Sequence, residues 1–256
     1  MKKVCYLGDG RMSGPAAYLC GIMKHYDIAF DHVNGFDPPM ATFCDEPYDL
    51  YILSDYARAN FSDLQLHYLE TSVIQGAGLL MFGGWESYYG RLGEYHNSIL
   101  KEILPVYMKD ADDRRNYSQP CVIVPSCAHP ITDGLPWDTP PCVGGFNAFT
   151  PKEGAQVLME THRFSIHYDK NGHAEMDKFQ FGPIETIPML VVGRYGAGRT
   201  AAFATDVAPH WVGGFVDWGR ERMFQLLSDD PEDFIDVGAD YARFFKQLID
   251  WTRRQD

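Results

Sequence analysis

The chain has 256 residues, of which 45% are hydrophobic and 22% charged, a globular composition long enough to bury a core without disulfide or metal staples. With 35 acidic against 22 basic side chains, the formal charge is −13. Nucleic acid and anionic membrane are repelled by such a surface and are not expected as partners, although Arg11, Arg91, Arg194 and Arg199 are candidates for a local basic pocket.

The first element is a short apolar strand, Lys3 to Leu7, stopped by Gly8-Asp9-Gly10. Because Gly8-Asp9-Gly10-Arg11 interrupts the apolar run that follows Lys2-Lys3, no signal peptide is predicted, and the expected compartment is the cytoplasm. Ser13 then stands as an N-cap with Pro15 in the first turn, and Ala16 to His25 has helical spacing. A second strand spans Ile28 to Val33 and a third Tyr48 to Leu53, ending at Ser54-Asp55. Ser62 caps a helix through Leu64, Leu66, Leu69 and Ile74, which Gly76-Ala77-Gly78 terminates. The strand Leu79 to Phe82 stops at Gly83-Gly84. The run from Gly78 to Phe82 is the densest apolar stretch, far below the roughly 20 residues of a membrane span.

The later half is less regular. Pro105 to Pro120 reads as a charged surface loop, Cys121 to Val124 as a short strand, and Gln156 to Glu160 as another. An Asn171-Gly172 turn predicts a solvated hairpin. Met189 to Tyr195 and Thr200 to Thr205 flank Gly196-Ala197-Gly198 as a second hairpin. Arg220 to Leu227 and Ala239 to Trp251 have helical periodicity. Strands and helices alternate at βαβ spacing, which predicts a three-layer α/β fold: a doubly wound, mainly parallel sheet, flavodoxin-like, with antiparallel additions in the C-terminal half. With no repeat or linker in sight, the chain is read as one domain over 1–256.

Ligands of open α/β sheets bind outside the carboxyl ends of the parallel strands. Here those ends are Gly8-Asp9-Gly10-Arg11-Met12-Ser13-Gly14, Ser54-Asp55-Tyr56, Gly83-Gly84-Trp85-Glu86-Ser87-Tyr88-Tyr89 and Asp206-Val207-Ala208-Pro209-His210-Trp211. Each supplies small residues for backbone approach and a polar or aromatic group. Tyr48 to Asp55, Gly78 to Ser87, His129-Pro130-Ile131 and Gly193 to Arg199 through His210-Trp211 resemble the class I glutamine amidotransferase-like superfamily, in its uncharacterised branch near the trehalose-utilisation type proteins. The resemblance implies a strand–turn elbow at Phe82-Gly83-Gly84-Trp85 and a late-strand histidine at His210. It also implies a nucleophilic cysteine at the elbow, and no cysteine stands there. Pro209 precedes His210, and no glutamate follows two residues on. Without the thiolate the acyl-enzyme route is lost, so no glutaminase activity is expected.

The remaining candidates each carry two readings. Gly83 and Gly84 offer amides at a helix start to an anion or carbonyl oxygen, or simply make a turn with positive φ. Glu86 and His210 form an acid/base pair, or are a surface carboxylate and a structural imidazole. Asp206 orients His210, or caps the following helix. Asp9, Ser13, Ser54 and Asp55 bind ligand hydroxyls, or serve turns. Trp85, Tyr88, Tyr89 and Trp211 form an aromatic platform for a sugar ring, or pack in a core or interface.

Cys127 and His129, near Cys121 and Cys142, match no familiar zinc spacing. Thiol burial is the better reading, so no metal and no cofactor is expected. The function expected from the sequence is binding of a small polar metabolite, a carbohydrate among the options, at the strand ends. The alternatives are an enzyme of another class using Glu86 and His210, or an oligomeric structural protein.

Overall fold

The computed structural model describes residues 3–45, 47–171, 178–182 and 185–254. Nine strands form one mixed sheet: β1 (Val4–Gly8), β2 (Phe30–Val33), β3 (Leu50–Ser54), β4 (Gly78–Met81), β5 (Arg114–Pro125), β6 (Cys142–Asn147), β7 (Gln156–Arg163), β8 (Glu185–Tyr195) and β9 (Gly198–Phe203). Their spatial order is β2-β1-β3-β4-β9-β8-β7-β5-β6. The first five in this order run parallel, and every pairing from β9 onward to β6 is antiparallel.

The parallel half is apolar on both faces, as a sheet covered on two sides must be. All residues of β1, β3 and β4 are buried. On one face, Tyr51 of β3 donates to the Ser72 hydroxyl (3.2 Å) of helix α2 (Asp63–Ile74), the first helix being α1 (Ala16–His25). On the opposite face, Phe82 and Phe203 stack on Phe245 of α3 (Ala239–Thr252), and α3 in turn packs against α1.

Helix α2 starts where its sequence predicts. Gln65 N donates to Ser62 Oγ (3.3 Å) and Ser62 N donates to Gln65 Oε1 (2.9 Å), a reciprocal capping box. Helix α1 does not use Ser13. That residue is exposed, Pro15 occupies the cap position without a side-chain bond, and the Ala16 amide is satisfied by the Asp9 carbonyl (3.0 Å).

Three readings of the later half are corrected. Pro105 to Pro120 is no surface loop throughout: β5 begins at Arg114, and Asp113 before it is fully buried. Arg220 to Leu227 is not a helix. Arg222–Leu226 pairs antiparallel with Phe234–Gly238, and alternate residues Met223, Ile235 and Val237 are buried. In so short a window few apolar positions distinguish a period of two from a period near four. The strand at Cys121 extends from 114 to 125. Ile166–Tyr168 does pair with Phe179–Phe181, but Gly172 of the predicted Asn-Gly turn lies outside the described residues. The β8–β9 hairpin turns at Gly196-Ala197 as predicted.

Candidate functional site

The five parallel strands end on one side of the sheet, and each end contributes to one pocket of about 510 Å³. Asp9 comes from β1, Gly35 and Phe36 follow β2, Asp55 follows β3, Trp85 and Glu86 follow β4, and Asp206, Ala208 and His210 follow β9. The strand order reverses between β1 and β3, where Asp9 and Asp55 stand side by side. Such a reversal opens a crevice, because the connections leave in opposite directions.

The backbone at these ends is held in costly conformations. Asp9 (φ 54°) and Asp55 (φ 43°) are both left-handed, uncommon for residues with a Cβ though least so for Asp and Asn. Gly8 precedes the first of them because a Cβ there would meet the Ser54 carbonyl oxygen at 1.5 Å. Gly84 (φ 156°) lies against the Asp55 carboxyl, where an added Cβ would stand 1.8 Å from Oδ1.

Each of the three aspartates has a defined setting. Asp9 accepts a hydrogen bond from the buried Tyr6 hydroxyl. Burial first, and then the charges of Asp206 and Asp55, push its carboxyl well above the usual range, against the opposing bond from Tyr6. Asp55 accepts from the Glu86 amide (3.0 Å) and is raised by burial and then by Asp206. Asp206 accepts from the Val207 (2.5 Å) and Ala208 (3.1 Å) amides. Burial pushes it up to about 6, moderated by those amides and by His210. The three carboxyls are therefore coupled, and charge on Asp206 raises both of the others. Glu86 is also raised by burial, with Arg114 and Arg91 opposing.

Of the sequence candidates, Asp9, Asp55, Trp85, Glu86, Asp206 and His210 line the pocket. Glu86 and His210 share it without a hydrogen bond between them among the described residues, and His210 instead neighbours Trp85, with ring centroids 6.1 Å apart. Asp206 caps no helix by the usual side-chain bond; it ties down the two amides before Pro209. Ser54 is fully buried beneath Asp9. Ser13 is exposed and outside the pocket.

The expected platform of four aromatics reduces to one. Trp211 is 2% exposed and packs on Gly145, where an added Cβ would lie 2.5 Å from its ring. Tyr88 is buried and donates to the Met81 carbonyl (2.9 Å), and Tyr89 stacks on His96. Trp85, at 37% exposure, remains at the pocket, with the Arg114 guanidinium 4.6 Å over its ring.

Gly83 and Gly84 do not form an anion hole. No helix starts at these glycines, the next helical residues being Tyr95–Asn97, and both amides are engaged: Gly83 N donates to the Thr205 carbonyl (2.9 Å) and Gly84 N to Asn147 Oδ1 (2.8 Å). The glycines serve close approach instead, since a Cβ on Gly83 would sit 1.9 Å from the Ala204 oxygen.

Sequence reasoning missed the buried pair behind this loop. Asn147 Nδ2 donates to Asp113 Oδ1 (2.7 Å), and the Asp113 carboxyl accepts the amides of Tyr89 (3.1 Å) and Gly90 (2.9 Å). The two side chains thus fix residues 84–90, which carry Trp85 and Glu86, although neither lies near that loop in sequence. No local motif marks them.

The sequence model of the GATase1_like family, described as "Putative glutamine amidotransferase", matches residues 48–227, well over half of the chain. The chain belongs to this family. The match begins at β3, so the GATase1_like segment supplies Asp55, Trp85, Glu86, Asp206 and His210, while Asp9 and Phe36 come from the residues before it. Among solved structures, cytoplasmic protein STM1381 from Salmonella typhimurium LT2 is 24% identical with a TM-score of 0.72, over 98% of this chain and 99% of that one. Cytoplasmic protein STM3548 from Salmonella typhimurium is 21% identical with a TM-score of 0.70, over 98% of both chains. The mmIFT52 N-terminal domain shares the fold at 10% identity and a TM-score of 0.58, over 98% and 97%. No curated protein matches the sequence.

No cysteine lines the pocket of this GATase1_like chain. Cys5 and Cys20 are buried and their thiols are pushed far up by that burial. Cys127 hydrogen-bonds to the Val157 carbonyl, while His129 stacks on Trp251. Among the described residues no group of three or more His, Cys, Asp or Glu is disposed to hold a metal ion, and no helix is long and apolar enough to cross a membrane. None of the four arginines considered for a basic pocket lines this one: Arg91 acts on it only through Glu86, and Arg199 covers Trp251 at 4.8 Å. A larger cleft of about 880 Å³ lies around Pro140, Trp218 and Arg243, away from the strand ends. Its Arg243 already pairs with Asp240 (2.7 Å).

Proposed function

We propose that the pocket at the strand ends binds a small neutral polyhydroxylated metabolite, a carbohydrate or related polyol, and that the protein hydrolyses no glutamine. One observation carries this reading. Among the described residues, four carboxyl groups (Asp9, Asp55, Glu86 and Asp206) and a partly exposed tryptophan share a pocket whose lining has no cysteine, lysine or arginine. An acyl-enzyme requires a nucleophile, and the pocket offers no thiol for that role. Arg114 and Arg91 act on Glu86 from outside the lining, but within it an anionic ligand would meet four acidic groups against one imidazole, so its binding would be opposed. Hydroxyl groups suit the lining better: ionised Asp206 accepts hydrogen bonds, and protonated Asp9 and Asp55 both donate and accept. The Trp85 ring offers an apolar face to the C–H side of a sugar.

A second reading, acid–base chemistry on the same ligand, is favoured by Asp206 at about 6 and by the raised Glu86. Carboxyls that hold protons close to neutral pH are suited to donating them. The strand order β2-β1-β3-β4 supports a flavodoxin-like winding of the parallel half. The names of the two Salmonella proteins support a cytoplasmic location.

A thermal-shift panel of neutral sugars, polyols, amino acids and nucleotides tests the proposal. Ligand at a hundred times its Kd stabilises the native state by about 2.7 kcal/mol, a shift of a few degrees. We expect a sugar or polyol to produce it, and Trp85→Ala to abolish it while leaving the ligand-free melting point within a degree or two. A shift from L-glutamine or a nucleotide instead, or ammonia released from glutamine, would overturn the proposal.

A further inference from the structure

Phe36 is 85% exposed, the highest value among the large apolar side chains described, yet it lines the pocket. A single exposed ring on a surface needs no explanation by itself. What sets this one apart is how firmly its backbone is held. Asn34 Oδ1 accepts the Phe36 amide (3.2 Å), and Asp37 N donates to the Asn34 carbonyl (3.0 Å), closing the turn. On either side of Phe36 a side chain from the segment after β3 grips the chain: Asn60 Nδ2 donates to the Gly35 carbonyl (2.7 Å), and the Tyr56 hydroxyl donates to the Asp37 carbonyl (2.8 Å). Gly35 is seated so closely that a Cβ would stand 2.9 Å from the Asp55 carbonyl oxygen. The turn is therefore fastened to the same segment that places the Asp55 carboxyl in the pocket.

We infer that Phe36 is the second aromatic wall of the pocket, so that the site selects a ring-shaped saccharide, held by Phe36 and Trp85, over an open-chain polyol. The inference rests on the carbohydrate reading above. One side of the Trp85 ring is taken by the Arg114 guanidinium, which leaves a single face for a ligand. One face gives weak orientation, and a second ring on a fixed turn supplies the other side. Because the turn is already ordered, little freedom is lost when a ligand docks. A pyranose presents a rigid apolar C–H face to such walls and turns its hydroxyl edge to the carboxyls. A flexible polyol presents no fixed face and must be ordered on binding.

The test is saturation-transfer difference NMR on the full chain with methyl glucoside, methyl galactoside and methyl mannoside, and with sorbitol as the open-chain comparison. Wild type should give signal from the C–H protons of at least one pyranoside and little from sorbitol. Phe36→Ala should weaken that pyranoside about tenfold, in keeping with the loss of one aromatic contact. Phe36→Trp should retain it, and both variants should melt with wild type because the ring is exposed. Equal pyranoside binding by wild type and Phe36→Ala would overturn the second wall and leave the carbohydrate site standing. Sorbitol binding as well as the pyranosides would overturn the ring preference. No pyranoside or sorbitol signal from wild type would sink both this inference and the reading beneath it. A wild-type dimer that Phe36→Ala converts to monomer, with pyranoside binding unchanged, would reassign the ring to contact between copies.

Discussion

Replacing Asn147 with alanine should destabilise the protein well beyond the typical point substitution. The side chain is fully buried and makes three bonds: it accepts from Gly84 N (2.8 Å) and donates to the Gly84 carbonyl (3.2 Å) and to Asp113 Oδ1 (2.7 Å). Truncation leaves the Gly84 amide without its partner, at about 1–3 kcal/mol, and takes a charge-assisted bond from Asp113, at a similar cost. Asp113 keeps the Tyr89 and Gly90 amides, so its carboxyl is not stranded, and a water entering the vacated space would satisfy part of the rest. The sum is about 3–5 kcal/mol. Urea unfolding reads it directly. With a denaturant slope of about 3 kcal/mol/M, the midpoint should fall by roughly 1–1.7 M. Ligand binding should weaken too, because residues 84–90 carry Trp85. A loss below about 1 kcal/mol with binding intact would refute the claim that this pair fixes the loop.

Three further outcomes follow from the same geometry. Asp206 has an ordinary value of 3.8 and is pushed up to about 6 in the fold, so between pH 4 and 6 the folded state holds more protons than the unfolded. Stability must then fall as pH rises through that window, by about 3 kcal/mol from this group alone. Asp206→Asn keeps an oxygen for the Val207 and Ala208 amides and should flatten the decline and raise stability at pH 7, as chemical unfolding at several pH values will read. Gly84→Ala forces a Cβ onto the Asp55 carboxyl at a backbone angle that side chains resist, and a loss above about 3 kcal/mol or a displaced Asp55 is expected from calorimetry or a crystal structure. Ser62→Ala removes half of the capping box and should cost about 1 kcal/mol by urea unfolding, with no effect on the pocket.

The parallel half was legible because its signals are local. Short apolar runs stopped by Gly8, Ser54-Asp55 and Gly83 gave β1, β3 and β4, and Ser62 with Gln65 gave the start of α2. Once those strands are parallel, their ends must converge, which is why Asp9, Asp55, Trp85, Glu86, Asp206 and His210 meet in one pocket. What was not legible depends on contacts distant in the chain. Asn147 meets Gly84 across 63 positions, and only the folded sheet brings it there. Trp211 resembles a pocket aromatic because it follows His210, but Gly145, on a strand that no local signal marks, lacks the Cβ that would have excluded it from the core. Phe36 sits in a turn whose importance lies in Asn60 and Tyr56, more than 18 residues on. The Arg222–Leu226 strand was lost because its partner, Phe234–Gly238, was not seen beside it.

The most direct test of the central claim is a crystal structure with the tightest-binding sugar from the panel. The ring should lie on Trp85, with hydroxyl groups within hydrogen-bond distance of Asp9, Asp55 or Asp206. A sugar bound instead in the cleft around Trp218 and Arg243, or L-glutamine occupying the strand-end pocket, would contradict it.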